Sequence, residues 1–360
     1  MAELLIELFS EEIPARMQGW AAGDLKKQLT DGLKKSGLSW DRADAFSTPR
    51  RLTIVIDGIP DAQPDVREER KGPKVGAPEK AVQGFMRGAG LSSIDEAEVR
   101  EDKKGQFYVA VIEKPGQATT DIIANIVPEI VRNFHWPKSM RWGSSDSSDG
   151  DLRWVRPLQR ILCTFDGEVV PFEIDGIASG DVTEGHRVMG RGPFKVRRFE
   201  DYADTLKNKG AVVLDREERK EIIAAEAKTL CEAQNLELVD DIGLLEEVAG
   251  LSEHPVAVMG DMDPDFLTLP PEVIKLSMRT HQKYFAVRDP KTGDLAPKFI
   301  TIANLKAKDG GKQIAAGNAK VLSARLADAR FFWDNDLNKT LESRFDSLGA
   351  IVFHEKNGRR

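Results

Sequence analysis

Residues 3–37 read ELLIELFSEEIPARMQGWAAGDLKKQLTDGLKKSG, and the architecture of the chain is already visible in them. Leu4, Ile6 and Leu8 alternate with Glu3, Leu5 and Glu7, which is the two-residue period of a strand, and the run breaks at residues 10–14, SEEIP. Pro14 suits the first turn of a helix, where its absent N–H is not needed. Met17, Ala21, Leu25, Leu29 and Leu33 then recur every four residues with Lys26, Lys27 and Lys34 opposite. Gly37 stands where a left-handed cap ends such a helix. Residues 52–56 supply a second strand, expected to return beside the first.

Outward from this start the pattern stays mixed. Residues 60–78 turn to Pro, Gly, Lys, Glu and Arg, which predicts an exposed loop or boundary at 61–78. A short helix over 79–88 follows, then a β-rich run at 107–113. Ile122, Ile123, Ile126, Val127, Ile130 and Phe134 make a helical stripe with Thr120 as its expected cap, and Pro128 is expected to kink or split it. Residues 144–151 read as a solvent loop. Asp166-Gly167 between 161–165 and 169–173 predicts a hairpin, because that dipeptide supplies positive backbone angles. Asp215 with Glu218 resembles a reciprocal cap for a helix over 216–234 with Ile222, Ile223, Ala227 and Leu230 buried. A helix at 271–280, a hairpin of 284–288 with 299–303, and a long helix at 319–334 complete the reading. The fold class is therefore α+β and multi-domain, with mixed and antiparallel sheets, packed helices and a C-terminal helical segment. The expected divisions are an α/β region at 1–190, a second α/β domain at 191–312 and a helical segment at 313–360.

With 360 residues, 41% apolar and 31% charged, the chain is long enough for two or more cores and too apolar for disorder. Cys163 and Cys231 lie in apolar stretches, as buried thiols do, and no Cys-x-x-Cys exists for zinc. No apolar run nears the roughly 20 residues of a membrane span, and the expected address is the cytoplasm. Net charge is −7, so any contact with RNA must be local.

Phosphate-loop, nucleophile-elbow, zinc-protease and dinucleotide motifs are all absent, which favours binding over chemistry. His135 and His254 read as structural, one packed and one in a turn. His186 beside Arg187, and His281 between Arg279 and Lys283, are the better candidates, since a cation in a loop or at a helix end suits phosphate. Residues 135–143, HWPKSMRWG, and 153–157, RWVRP, combine Lys138, Arg141, Arg153 and Arg156 with Trp136, Trp142 and Trp154. The indoles suit an unpaired base or a core equally well. Arg50 and Arg51 precede a strand and point to opposite faces of it, one toward RNA and the other toward a carboxylate such as Glu7. Arg325 and Arg330 flank a helix that packing already explains.

Taken in order, residues 7–17 (ELFSEEIPARM), 47–52 (STPRRL), 136–143 (WPKSMRWG), 153–157 (RWVRP), 169–173 (VVPFE), 185–187 (GHR), 266–272 (FLTLPPE), 281–287 (HQKYFAV) and 317–332 (GNAKVLSARLADARFF) resemble the β subunit of bacterial glycyl-tRNA synthetase. The resemblance implies a complex of two α and two β chains, with ATP, magnesium and glycine handled by the α subunit and tRNA(Gly) recognised by β. It implies no catalytic centre and no cofactor in this chain, no membrane and no DNA. Arg50, Arg51, Lys138, Arg141, Trp142, Arg153, Arg156, His186, Arg187, Arg279, His281 and Lys283 are the candidate tRNA contacts. Family members are expected to continue past residue 356 through a helical HD-type domain to an anticodon-binding domain. Two alternatives stand beside this: a self-sufficient RNA-binding module, and an editing-type hydrolase of mischarged tRNA around His186 or His281.

Overall fold

The structure, a computed structural model, describes residues 2–102, 105–114, 116–141, 152–190, 192–354 and 358–359. Its architecture is α+β, in two compact units: residues 1–7, 23–45 and 54–181 form one, residues 8–22, 46–53 and 182–360 the other. Strand β1 (Ala2–Ser10), helix α1 (Ala15–Lys35) and strands β2 (Arg42–Thr48) and β3 (Arg51–Ile59) open the chain. β3 does return beside β1. β1 is buried along nearly its whole length, Glu7 included, as befits a strand covered on both faces. Helix α1 ends as its sequence predicts: Gly37 takes φ +71°, and the Leu38 N–H donates back to the Leu33 carbonyl at 3.0 Å.

In the first unit, residues 66–74 correct the expectation of a loop. They form β4 (Val66–Lys74), and with helix α2 (Glu79–Ala89) and strands β5 (Glu98–Asp102) and β6 (Gly105–Lys114) they build a three-stranded sheet in the order β4-β6-β5. Backbone pairing holds this charged strand, and polar side chains reinforce it. Arg100 reaches Glu69 with both terminal nitrogens at 2.8 Å, and the Lys71 ammonium lies 3.8 Å from the Phe107 ring centre. An edge strand made of charges carries no apolar period, so the sequence hides it.

Helix α3 (Thr119–Arg132) brings one more correction. Ala118, not Thr120, occupies the cap position, and the Thr119 hydroxyl donates to the Pro60 carbonyl at 2.6 Å. Pro128 is buried inside the helix, which runs on to Arg132 and is not split there. His135, expected to be packed, is exposed. Strands β7 (Met140–Arg141), β8 (Arg153–Trp154), β9 (Leu158–Phe165), β10 (Glu168–Val169), β11 (Glu173–Ile174) and β12 (Ile177–Gly180) follow. The main sheet runs β11-β12-β9-β1-β3-β2, with β10 on β9. Asp166 at φ +49° and Gly167 at φ +84° make the expected tight turn of the β9–β10 hairpin. The expected loop at 144–151 lies outside the described residues.

The second unit carries β13 (Val182–Thr183), β14 (Phe194–Lys195), α4 (Phe199–Asn208), α5 (Arg216–Glu232), β15 (Glu237–Leu238), α6 (Ile242–Ala249), β16 (Val256–Asp261), α7 (Pro271–Leu276), β17 (Phe285–Arg288), β18 (Leu295–Ala303) and α8 (Lys312–Leu337). Its antiparallel sheet has the order β15-β17-β18-β16. Asp215 caps α5, accepting from the Glu217 and Glu218 amides at 2.6 and 3.3 Å. The reciprocal limb is diverted, since Glu218 takes Lys207 at 3.0 Å. Ile223, Ala227 and Cys231 of α5 join Phe285, Val287 and Ile300 in one core, while Leu322 and Leu326 of α8 pack with Met278, Tyr284 and Phe299 in another. Both cysteines are buried free thiols. No helix among the described residues is long and apolar enough to cross a membrane.

Candidate nucleic-acid interface

The sequence-predicted contacts fall into three separate places. In the first unit, Phe134, Trp136 and Trp154 pack ring on ring, with centroids 5.0, 5.3 and 5.0 Å apart. This settles the two readings of Trp136 and Trp154 in favour of the core, and Trp154 is 0% exposed. Alternation along β8 then turns Arg153 outward. β7 pairs with β8 in the register Met140 opposite Trp154 and Arg141 opposite Arg153, so two guanidiniums stand side by side on the solvent face. Lys138 and Arg156 are exposed in the same short segments, and Arg156 donates to its neighbour's carbonyl at 2.8 Å. Among the described residues none of these four is ion-paired. Like charges directly opposite repel, a local cost that an anion laid across them would relieve. Trp142 lies outside the described residues.

In the second unit, residues grouped by sequence as surface cations divide between interior and rim. Arg51 is 0% exposed, with Nε and Nη2 both 3.0 Å from Glu253 Oε1 and Nη1 donating to the Glu184 carbonyl at 3.0 Å. The Thr48 hydroxyl donates to the same Glu253 oxygen at 2.6 Å. Arg51 therefore ties strand to loop and has no face for RNA. His186 is 3% exposed, which likewise removes it from the surface. Its Nδ1 accepts from the Val188 and Met189 amides at 3.2 Å each, and its own amide donates to the Gly210 carbonyl at 2.7 Å. The loop can close so tightly because Gly185 and Gly190 both meet the Gly210 backbone where a Cβ would sit. Burial is the main cause that holds His254 below the usual imidazole range, against a hydrogen bond to Ala211 that raises it.

At the rim, Arg187 pairs with Glu11 at 2.8 Å, both half-exposed. Arg50 lies over the Phe9 ring, 4.5 Å from its centre. Arg279, His281 and Lys283 belong to a third place, the π-type turn Ser277–Gln282 that continues α7 and ends at Lys283 with φ +60°. There Arg279 takes Asp241 at 2.7 Å and Lys283 takes Glu247 at 2.9 Å, so carboxylates offset both cations.

Sequence reasoning missed Arg219, which is 0% exposed and donates to four backbone carbonyls: Ala249, Val213 and Ser47 at 2.8 Å, and Leu214 at 2.9 Å. It missed Glu253 as well. A signal for Arg219 was present, since it starts the four-residue series Arg219, Ile223, Ala227, Cys231 on the buried stripe of α5. Among the described residues no group of three or more His, Cys, Asp or Glu side chains could hold a metal ion.

Fold and surface together define a two-unit α+β protein whose distinctive features are localised exposed cations and a buried ionic and aromatic interior. A family model described as glycyl-tRNA synthetase beta subunit matches residues 4–359, and the chain belongs to that family. It is 59% identical over 359 residues to the glycine–tRNA ligase beta subunit of Phenylobacterium zucineum strain HLK1, covering 99% of this chain and 52% of that protein. The proteins of the same name from Ruegeria sp. strain TM1040 and Dinoroseobacter shibae strain DSM 16493 are 56% and 53% identical, with 52% and 50% of their lengths covered. The chain thus spans about half the length of the curated relatives it matches.

Proposed function

We propose that this chain works as part of a glycine–tRNA ligase, binding and positioning tRNA(Gly) while an α subunit, in a complex of two α and two β chains, holds ATP and magnesium and catalyses glycylation in the cytoplasm. Family membership supports the subunit role, and the side-by-side Arg141 and Arg153 carry the RNA reading. Two exposed forks at strand spacing suit a phosphodiester track, and Lys138 and Arg156 extend the charge along it.

The test is made in the assembled enzyme, with the β chain at its full family length. Arg141→Ala and Arg153→Ala should each raise KM for tRNA by roughly tenfold while leaving KM for glycine and ATP unchanged. Each should also lessen the salt dependence of tRNA binding by roughly 0.7–0.9 in logarithmic slope, the loss of one phosphate contact. Equal effects on all three substrates would refute the reading, as would glycyl-adenylate formation by this chain alone.

A further inference from the structure

In the second unit Arg50 lies within electrostatic reach of two further guanidiniums, Arg51 and Arg187, and of two carboxylates, Glu11 and Glu253. Arg51 takes Glu253, which also accepts from Thr48, and Arg187 takes Glu11. Arg50 has no ion pair or side-chain hydrogen bond among the described residues, and its Nε is buried without an acceptor. Yet the residue is only 8% exposed. The Phe9 ring beneath it supplies a π face, which compensates a desolvated cation in part and satisfies none of its five N–H donors. Burial lowers the Arg50 pKa ahead of the opposing pull of Glu253, as expected of a charge removed from water with no anion of its own.

We propose that Arg50 anchors an oxyanion site, with Arg187 at its rim, that takes one phosphate group, either as a phosphodiester of an RNA or as a free phosphate. A planar fork braced on an aromatic ring matches two oxygens of such a group, and a second guanidinium beside it suits a tetrahedral anion better than a flat carboxylate. Glu253 and Glu11 do not cancel the site, since each is engaged by its own arginine. This site is distinct from the Arg141–Arg153 ladder and does not depend on it.

The experiment follows the Arg50 Nε–Hε resonance in the full 15N-labelled chain, assigned by its disappearance in Arg50→Lys. One arm titrates inorganic phosphate against chloride at matched ionic strength, and the other titrates a short single-stranded RNA. A saturable shift with phosphate supports the site for small anions, and a shift with RNA alone supports it as part of an RNA path. Followed by the Arg187 Nε–Hε resonance, which that variant keeps, Arg50→Lys should weaken whichever probe binds by tenfold or more, and Arg141→Ala should leave the Arg50 shift intact. Arg50→Met keeps the packing on Phe9 without the charge and should unfold at the parent temperature or above. No saturable shift with either probe would overturn the proposal, as would undiminished binding by Arg50→Lys. A fall of more than about 5 °C in Arg50→Met would show that the cation serves the fold instead.

Discussion

Arg219→Leu should be among the most damaging single substitutions in the second unit, and its cost follows from four distances. The guanidinium donates to the Ala249, Val213, Leu214 and Ser47 carbonyls at 2.8–2.9 Å, tying α5 to the end of α6, to the segment before α5 and to the end of β2. A hydrogen bond from a charged donor is worth roughly 1.5–3 kcal/mol net, so four independent ones would be worth about 6–12 kcal/mol. They are not independent, and leucine also relieves the desolvation of a buried charge, a return of several kcal/mol. The expected net loss is roughly 3–5 kcal/mol, a large share of the 5–15 kcal/mol that typically holds a domain folded. Lysine keeps the charge but cannot fan out to four acceptors, so Arg219→Lys should lose about 2–4 kcal/mol. Urea unfolding followed by far-ultraviolet circular dichroism measures both, with the slope checked for two-state behaviour. A leucine variant within 1 kcal/mol of the parent, or a lysine variant as stable as the parent, would refute this account of the interior.

Gly190→Ala would place a methyl group on the Gly210 backbone, which cannot retreat as a side chain could, and should cost about 3 kcal/mol or more by thermal denaturation. Trp154→Ala removes the most deeply buried ring of the Phe134–Trp136–Trp154 cluster, for an expected loss of roughly 3–5 kcal/mol that urea unfolding would report. Because His254 is held below its ordinary pKa, the unfolded chain binds its proton first. Stability from this residue is then present above about pH 6.5 and is lost as pH falls through the lowered folded value, so His254→Gln should flatten the melting-temperature profile between pH 7 and 5. Burial pushes the Cys231 thiol up to about 11 and Cys163 higher still, so iodoacetamide at pH 8 should label both cysteines only when urea is added.

The parts of the fold legible in the sequence are those whose elements bury an apolar face of regular period. α1, β1, β3, the Asp166-Gly167 hairpin, α5, and the hairpin of β17 with β18 all announce themselves in this way. β4 does not, because its neighbours hold it through backbone bonds and charged side chains, and VREERKGPK has the composition of a loop. Thr120 looked like a cap since hydroxyl residues favour that position, but Thr119 spends its hydroxyl on the Pro60 carbonyl and the helix begins two residues sooner. Such a partner, 59 positions away, leaves no local trace.

The candidate contacts divide by a rule that sequence states only in part. Where an aromatic anchor fixes the inward face of a strand, the residue beside it must face out: Trp154 inside places Arg153 outside, and the register of β7 then brings Arg141 opposite. In residues 47–52, STPRRL, no such anchor decides which arginine turns inward, and the answer depends on Glu253, some 200 positions away. A buried carboxylate that already accepts from Thr48 draws in Arg51, and Arg50 is left to lie on Phe9 with its Nε buried and without an acceptor. Two adjacent arginines thereby take opposite tasks. One completes the interior and must be charged for the fold to hold, while the other carries a desolvated charge that the fold itself does not answer. In a chain of net charge −7, attraction for an anion comes from such local imbalances and not from the total, because screening confines a surface field to about 10 Å.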